Sequence, residues 1–383
     1  MPLDLSDIPI IDHHAHALVR RPPATVTEWL GFFTESRDPA LVAGHVPDTL
    51  FFRYAIKALA GLLGCEPTAE SVLTARDQLA RPGDSAGVSA WSDLLVRDAN
   101  IATMLIDYGF RGPENYGPVE MGKLLPCRLE PILRLETLAQ ELILACDTLD
   151  QVLDAYRAEV EGARGAGYVA LKSIIAYRTG LVVREWTRDE VEAAFWPLKE
   201  QARRDGRIRL ASQPINDTLF LTALAIAENQ AMPVQFHTGW GDADVDLLLA
   251  NPLHFRPLLQ SDRYNHVPWV ILHMGYPYVR EAGYLASIYS NVYVDLSLAI
   301  PFASSEAPML LTQLFGLAPT SKLMYASDGF SVPELFWLGA RIGRAALARV
   351  LEDQVSAGIL STSEAETVAG QILSGNAQRV YCL

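Results

Sequence analysis

The run IIDHHAH, Ile10 to His16, places three histidines in four positions directly after an apolar stretch. Imidazole serves as metal ligand, acid/base or ordinary polar group, so position must decide which of His13, His14 and His16 carries chemistry. Side chains alternate across a β-strand, which puts Asp12, His14 and His16 on one face and His13 and Ala15 on the other. Two imidazoles two residues apart at a strand's end can converge on one ion, although an isolated His-x-His pair is common. Repetition gives this one weight. His237 closes the run PVQF, His273 closes WVIL and Asp328 follows LMYAS, each opening a glycine-containing loop in HTGWGD, HMGYP and SDGF. Imidazoles joined by a carboxylate suit zinc and related divalent ions, which acidify a bound water. Lys172 in YVALKSII sits at the same level of another segment. An inward ammonium there must pair with an acid, hold an anionic substrate group, or become carboxylated to a carbamate that bridges two metals.

Other polar residues accompany these points. Tyr177 and Arg178 follow in SIIAYRTG, where a guanidinium either grips a substrate carboxylate in bidentate fashion or is an ordinary surface arginine. Trp240 and Asp242 in HTGWGDAD, and Arg280 with Glu281 in YVREAGY, lie in the corresponding loops, and Arg280 equally suits an ion pair on its own helix. His45, His254 and His266 fall in inserted or connecting segments and read as structural or surface histidines.

The segments that must position these groups are short and aliphatic or β-branched: 8–16, 102–110, 129–136, 168–175, 232–240, 269–277, 292–299 and 322–330. Longer helical patterns separate them, among them DEVEAAFWPLKEQARRDG, acidic in its first turn and basic near its end. Eight strands alternating with helices predict a parallel sheet and an α/β fold of the (β/α)₈ TIM-barrel type, with the polar strand ends converging on one mouth. A single domain over 1–383 is expected. One connection breaks the spacing: from 19 to about 100 the chain runs through TVTEWLGFFTE, LFFRYAIKALAGLLG and AESVLTARDQLA with no strand between. So long an insertion after strand one predicts a helical cap over the site, with an oligomer interface as the equal alternative.

Composition narrows the function further. Half of the 383 residues are apolar, and 31 basic against 45 acidic side chains leave a net charge of -14. Without a Lys/Arg-rich run to track phosphates, nucleic acid is excluded as a partner. Cys65, Cys127, Cys146 and Cys382 are far apart, which predicts a reducing compartment and no thiolate metal site. The start MPLDLSD is acidic and no run approaches about 18 continuous apolar residues, so a cytoplasmic protein without membrane association is expected.

The DHHAH run, FHTG, LHMGYP, ASDGF and the closing SGNAQRVYCL together resemble the amidohydrolase superfamily of metal-dependent (β/α)₈ enzymes, in its decarboxylase-like branch. ALKSIIAYRTGL, QFHTGWGDADVDLLLANPLHFRPLL and LMYASDGFSVPELFWLGA are similar to the amidohydrolase domain that precedes a glutamine synthetase-like domain in FluG-type and nodulin-type fusion proteins. No such domain follows Leu383, so a stand-alone version is expected. The resemblance implies His14, His16 and His237 as metal ligands and Asp328 as ligand, base or both. It makes His273 a second-metal ligand in two-metal members or a substrate-polarising group in one-metal members. Lys172 takes the place of the carboxylated lysine of binuclear members, in different surroundings, so one or two ions are implied, zinc first, with manganese or iron as alternatives. The implied reaction is hydrolysis of an amide bond in a small carboxylate-bearing substrate such as a γ-glutamyl amide, with Arg178, Tyr177, Trp240 and Arg280 as substrate contacts. Non-oxidative decarboxylation of a small acid is the alternative within the branch, and a non-catalytic ligand-binding barrel the alternative outside it. A homodimer is the expected assembly.

Overall fold

A computed structural model describes residues 3–79, 88–109 and 114–383. Eight strands occur where the aliphatic segments predict them: β1 Ile10–His16, β2 Ile101–Asp107, β3 Arg128–Arg134, β4 Ala170–Ser173, β5 Val234–Phe236, β6 Trp269–Ile271, β7 Val292–Asp295 and β8 Leu323–Met324. They form one eight-stranded sheet in chain order, β1 to β8, with helices between them, which is the TIM-type (β/α)₈ barrel. The strands are shorter than the aliphatic segments, and residue 110 of the second segment lies outside the described residues. Among the described residues no helix is long and apolar enough to cross a membrane.

The chain divides into two compact units. The first comprises the described residues of Met1–Leu129 with Leu296–Gly316 and Leu323–Gln378. Its β1 is buried at all seven positions, as expected for a parallel strand covered on both faces. β1 pairs with β2 in parallel, Ile10 opposite Ile101 and His16 opposite Asp107, with an irregularity between Asp12 and Ala15. The insertion between these strands holds five helices among the described residues, where periodicity predicts three: Val26–Leu30, Pro39–His45, Leu50–Leu63, Ala69–Asp77 and Val88–Asp98. Thr25, Thr49 and Thr68 cap three of them through their side-chain oxygens. Pro39–His45 buries none of its residues, so no apolar stripe announces it; Asp38 as cap and proline at its start do. Residue 80, the end of the third predicted pattern, lies outside the described residues. Trp29, Phe33, Phe51 and Phe52 meet edge-on or tilted at 5.0 to 6.0 Å between ring centres, giving the insertion its own aromatic core.

That insertion is tied to the helix following β8 at Glu334, the second residue of Pro333–Ser356. The Glu334 carboxyl is buried beside Arg76, Trp91 and Trp29, and burial raises its pKa against the pull of the Arg76 charge. The folded protein therefore holds this proton more tightly than the unfolded chain. The associated stability is complete below the unfolded value of 4.5 and is lost as pH rises toward the folded pKa. Glu334→Gln removes the loss. Its melting temperature relative to wild type is expected to improve steadily above pH 4.5, at up to about 1.4 kcal/mol per pH unit within the titration window. A melting difference that does not change between pH 4.5 and 8 would refute the assignment.

The second unit comprises Glu130–Asp295, Leu317–Lys322 and Arg379–Leu383. β3 to β7 pair successively in parallel, with Arg134 opposite Lys172, Lys172 opposite Gln235 and Phe236 opposite Ile271. Phe220, Phe236, Phe255 and Trp269 stack in its core. The helix Arg188–Asp205 begins with a Thr187/Glu190 capping box and ends at Gly206 with φ +63°.

Candidate functional site

In the first unit, the fully buried His14 and the nearly buried His16 point their Nε2 atoms at one oxygen, Oδ1 of Asp328, each at 3.1 Å. Their rings are 5.0 Å apart and nearly perpendicular. Strand alternation thus brings the two predicted imidazoles together with the predicted carboxylate. A further carboxylate joins them. Asp107, at the end of β2, is wholly buried; its carbonyl lies 3.2 Å from His16 Nδ1, and its Oδ2 lies 4.0 Å away. The sequence reading passed over Asp107, although it closes a strand in MLID as the other candidates close theirs.

The loop carrying Asp328 is held from β1. Asp12 accepts two hydrogen bonds from Ser327, from its N–H at 2.9 Å and its Oγ at 2.5 Å. Burial pushes the Asp12 carboxyl up to about 7 despite these bonds. Asp328 N–H in turn donates to His14 carbonyl at 2.9 Å, so the loop is pinned on both sides of its functional residue. Asp328 has φ +52°, a left-handed conformation unusual for a non-glycine residue. Such strain, of order 1–3 kcal/mol, persists where the surroundings over-determine it, commonly at functional sites.

In the second unit, His237 follows β5 and His273 follows β6, with ring centres 4.5 Å apart. His273 also has positive φ, +65°, and its N–H donates to Asp295 Oδ1 at 2.5 Å. Thr238 Oγ1 donates to Leu272 carbonyl at 2.7 Å, fixing the end of β5 to that of β6. The Tyr177 ring lies 4.1 Å from that of His237. Gly241 lets it: a Cβ there would stand 1.9 Å from the Tyr177 hydroxyl. Gly239, with φ +71°, likewise has no room for a Cβ, which would come within 2.2 Å of Tyr276 carbonyl.

Lys172 is buried within β4. Next to it, Ser173 Oγ donates to Glu136 Oε1 at 2.6 Å, and burial raises the Glu136 pKa. Arg178 is half-buried after the turn Ile175–Tyr177. Trp240 is half-buried, its backbone N–H donating to Tyr276 carbonyl at 2.6 Å. Arg280 is exposed and lines a groove of about 450 Å³ with Leu253, Arg256, Glu281 and Tyr284.

The donors in the first unit fit a divalent ion. One ligand atom from each of His14, His16 and Asp107 lies within 4.8 Å of the others, and both imidazole nitrogens lie 3.1 Å from Asp328 Oδ1. Ligands about 2.1 Å from a tetrahedral ion stand roughly 3.4 Å apart, so small shifts suffice. The mixture of two imidazoles and hard carboxylate oxygens is one that zinc, manganese and iron all accept.

Comparison with known proteins agrees with this chemistry. The family model described as "Amidohydrolase" matches residues 11–383. Protein fluG of Emericella nidulans is 32% identical over 410 aligned positions, covering 97% of this chain and 45% of the relative. The chain therefore spans less than half the length of that curated relative. Among solved structures, a candidate metal-dependent hydrolase from Lactobacillus casei ATCC 334 superposes with a TM-score of 0.88 at 29% identity, covering 100% of this chain and 98% of that one. A uronate isomerase from Thermotoga maritima matches with a TM-score of 0.68 at 14% identity, covering 98% and 95%, and shares the fold.

Proposed function

This chain belongs to the amidohydrolase family of metal-dependent enzymes, and from that premise we propose that it hydrolyses the amide C–N bond of a small, carboxylate-bearing substrate such as a γ-glutamyl amide. The observation that carries the reading is the pair of buried imidazoles on β1 aimed at a single Asp328 oxygen. The proposed ligands are His14, His16, His237 and Asp328, with Asp107 completing the set on β2. Bound there, a divalent ion supplies Lewis-acid polarisation of a carbonyl and an acidified water.

The protein's own groups do the rest. Asp328 takes the proton of the attacking water and returns it to the leaving nitrogen, so no proton is lost or gained over the cycle. His273, its backbone fixed by Asp295, is proposed to stabilise the oxyanion as the carbonyl carbon becomes tetrahedral. Asp12 is a positioning residue: through Ser327 it fixes the loop from which Asp328 acts.

One screen tests the proposed substrate class and the reaction together. Metal-loaded protein is incubated with γ-glutamyl amides and, separately, with aromatic carboxylic acids. Release of ammonia or amine from the amides is expected. Carbon dioxide from the acids with no amine from the amides would replace hydrolysis by decarboxylation.

A further inference from the structure

Beyond the reacting bond, Arg178 after β4 carries a positive charge that no carboxylate pairs with among the described residues. Arg178 Nε is enclosed by protein and has no hydrogen-bond partner. Its NH1 lies 3.4 Å from the Tyr177 carbonyl, a long, neutral contact for a full charge. Arg209 donates NH2 to the same carbonyl at 3.0 Å and NH1 to Asp244 at 2.9 Å. Two guanidinium groups therefore converge on one oxygen. Burial first, and then the Arg209 charge, hold Arg178 below the ordinary arginine value; Arg134, at the end of β3, adds to the repulsion.

Asp244 and Glu136 are the carboxyls whose charges pull on Arg178, and neither forms an ion pair with it. Asp244 is partly exposed and already engaged with Arg209. Glu136 is buried and already accepts a hydrogen bond from Ser173 Oγ, with burial raising its pKa. A half-buried guanidinium whose Nε has no partner, and whose hydrogen bond is a long one to a neutral carbonyl, is costly unless a ligand supplies an anion. The carbonyl on which both arginines converge belongs to Tyr177, whose ring covers His237. The anion would thus sit one residue from a proposed metal ligand.

We propose that Arg178 and Arg209 form the subsite for a carboxylate at the far end of the substrate, with the Tyr177 ring as spacer between it and the carbonyl that reacts. The substrate class is an amide bearing a free carboxylate a few carbon atoms from the scissile carbonyl; neutral amides of the same length are rejected. Only the identity of the reacting bond rests on the hydrolase reading, because the arginines lie outside the proposed ligand set.

The test titrates the monoamide of glutaric acid, and the neutral diamide, into wild type, Arg178→Met, Arg178→Lys and His14→Ala/His16→Ala. Wild type is expected to prefer the monoamide at least about tenfold, or about 1.4 kcal/mol. Arg178→Met abolishes the preference, and Arg178→Lys, which keeps the charge and loses the fork, retains part of it. The His14/His16 variant keeps the preference, so a protein that proves to need no metal would still show the subsite. Removing a half-buried charge that has no ion pair should leave the unliganded Arg178→Met protein as stable as wild type, or melting up to about 3 °C higher. Three outcomes overturn the proposal: an unchanged preference in Arg178→Met, a lowered melting temperature with the preference intact in Arg178→Lys, or inorganic phosphate competing as strongly as the monoamide.

Discussion

Wild-type protein purified without chelators is expected to carry about one or two divalent ions per chain, and His14→Ala/His16→Ala fewer than about 0.1, since loss of two imidazoles leaves too few donors for a closed site. Elemental analysis reads this directly. His13→Gln is the matched control: strand alternation predicts that His13 faces away from His14 and His16, and the hydrogen bond of its backbone N–H to Tyr325 carbonyl survives substitution. It should keep its metal while losing stability, because His13 is fully buried. The count also bears on Lys172. A single ion leaves that lysine outside the ligand set, whereas two ions call for its carboxylated form, which bicarbonate should then restore after acid treatment. Wild-type protein holding less than about 0.3 ion per chain, with none taken up from added Zn²⁺ or Mn²⁺, would end the metal-enzyme reading.

Asp328→Asn should lower kcat by about 10²- to 10⁴-fold, the range that a positioned acid/base contributes. The amide keeps a ligand oxygen where the carboxylate has one and keeps the loop's bond to His14 carbonyl, so metal content should fall much less than activity. What it lacks is a base. A second signature follows from that: the acidic limb of the kcat profile, which reports the group that must be deprotonated, should vanish in the variant. Asp12→Asn makes the contrast. It leaves Asp328 in place and weakens the contacts that Asp12 makes with Ser327, so it should slow the reaction less and preserve the limb. Full activity in Asp328→Asn would assign the proton transfer to another group.

The architecture was readable because period and spacing carry it. Six of the eight aliphatic segments contain their strand, and β2 and β3 start one residue ahead of theirs; the helices Leu149–Gly162 and Arg188–Asp205 are capped by Thr148 and Thr187, which announce them. The exact strand ends were not readable. His237, His273 and Asp328 lie just beyond β5, β6 and β8, where left-handed φ at His273 and Asp328 ends the extended run, and composition does not encode a positive φ at a non-glycine residue. Pro39–His45 escaped notice for a different reason: a helix that buries nothing has no stripe.

The site divides in the same way. His14, His16 and Asp328 could be singled out from alternation and from the loops they open, and they do meet. Asp107 carried the same signal as the histidines, a strand end with a glycine two residues on in IDYGF, so it was legible as well. Arg209 had no signal at all, because its role comes from reaching back to the Tyr177 carbonyl across 32 positions of sequence. Arg178 stood out for its place after β4, but its lack of a partner at Nε is a property of packing alone.

The contact between His16 and Asp328 spans 312 positions, and it has a meaning for biosynthesis. β1 leaves the ribosome 312 positions ahead of Asp328, so until that residue is made the two imidazoles can face Asp107 but not the carboxylate at which both point. A nascent or truncated chain lacking residue 328 can fold parts of its helices and still present an incomplete ligand set. Tight ion uptake then comes last, as a chemical mark that separates finished molecules from fragments.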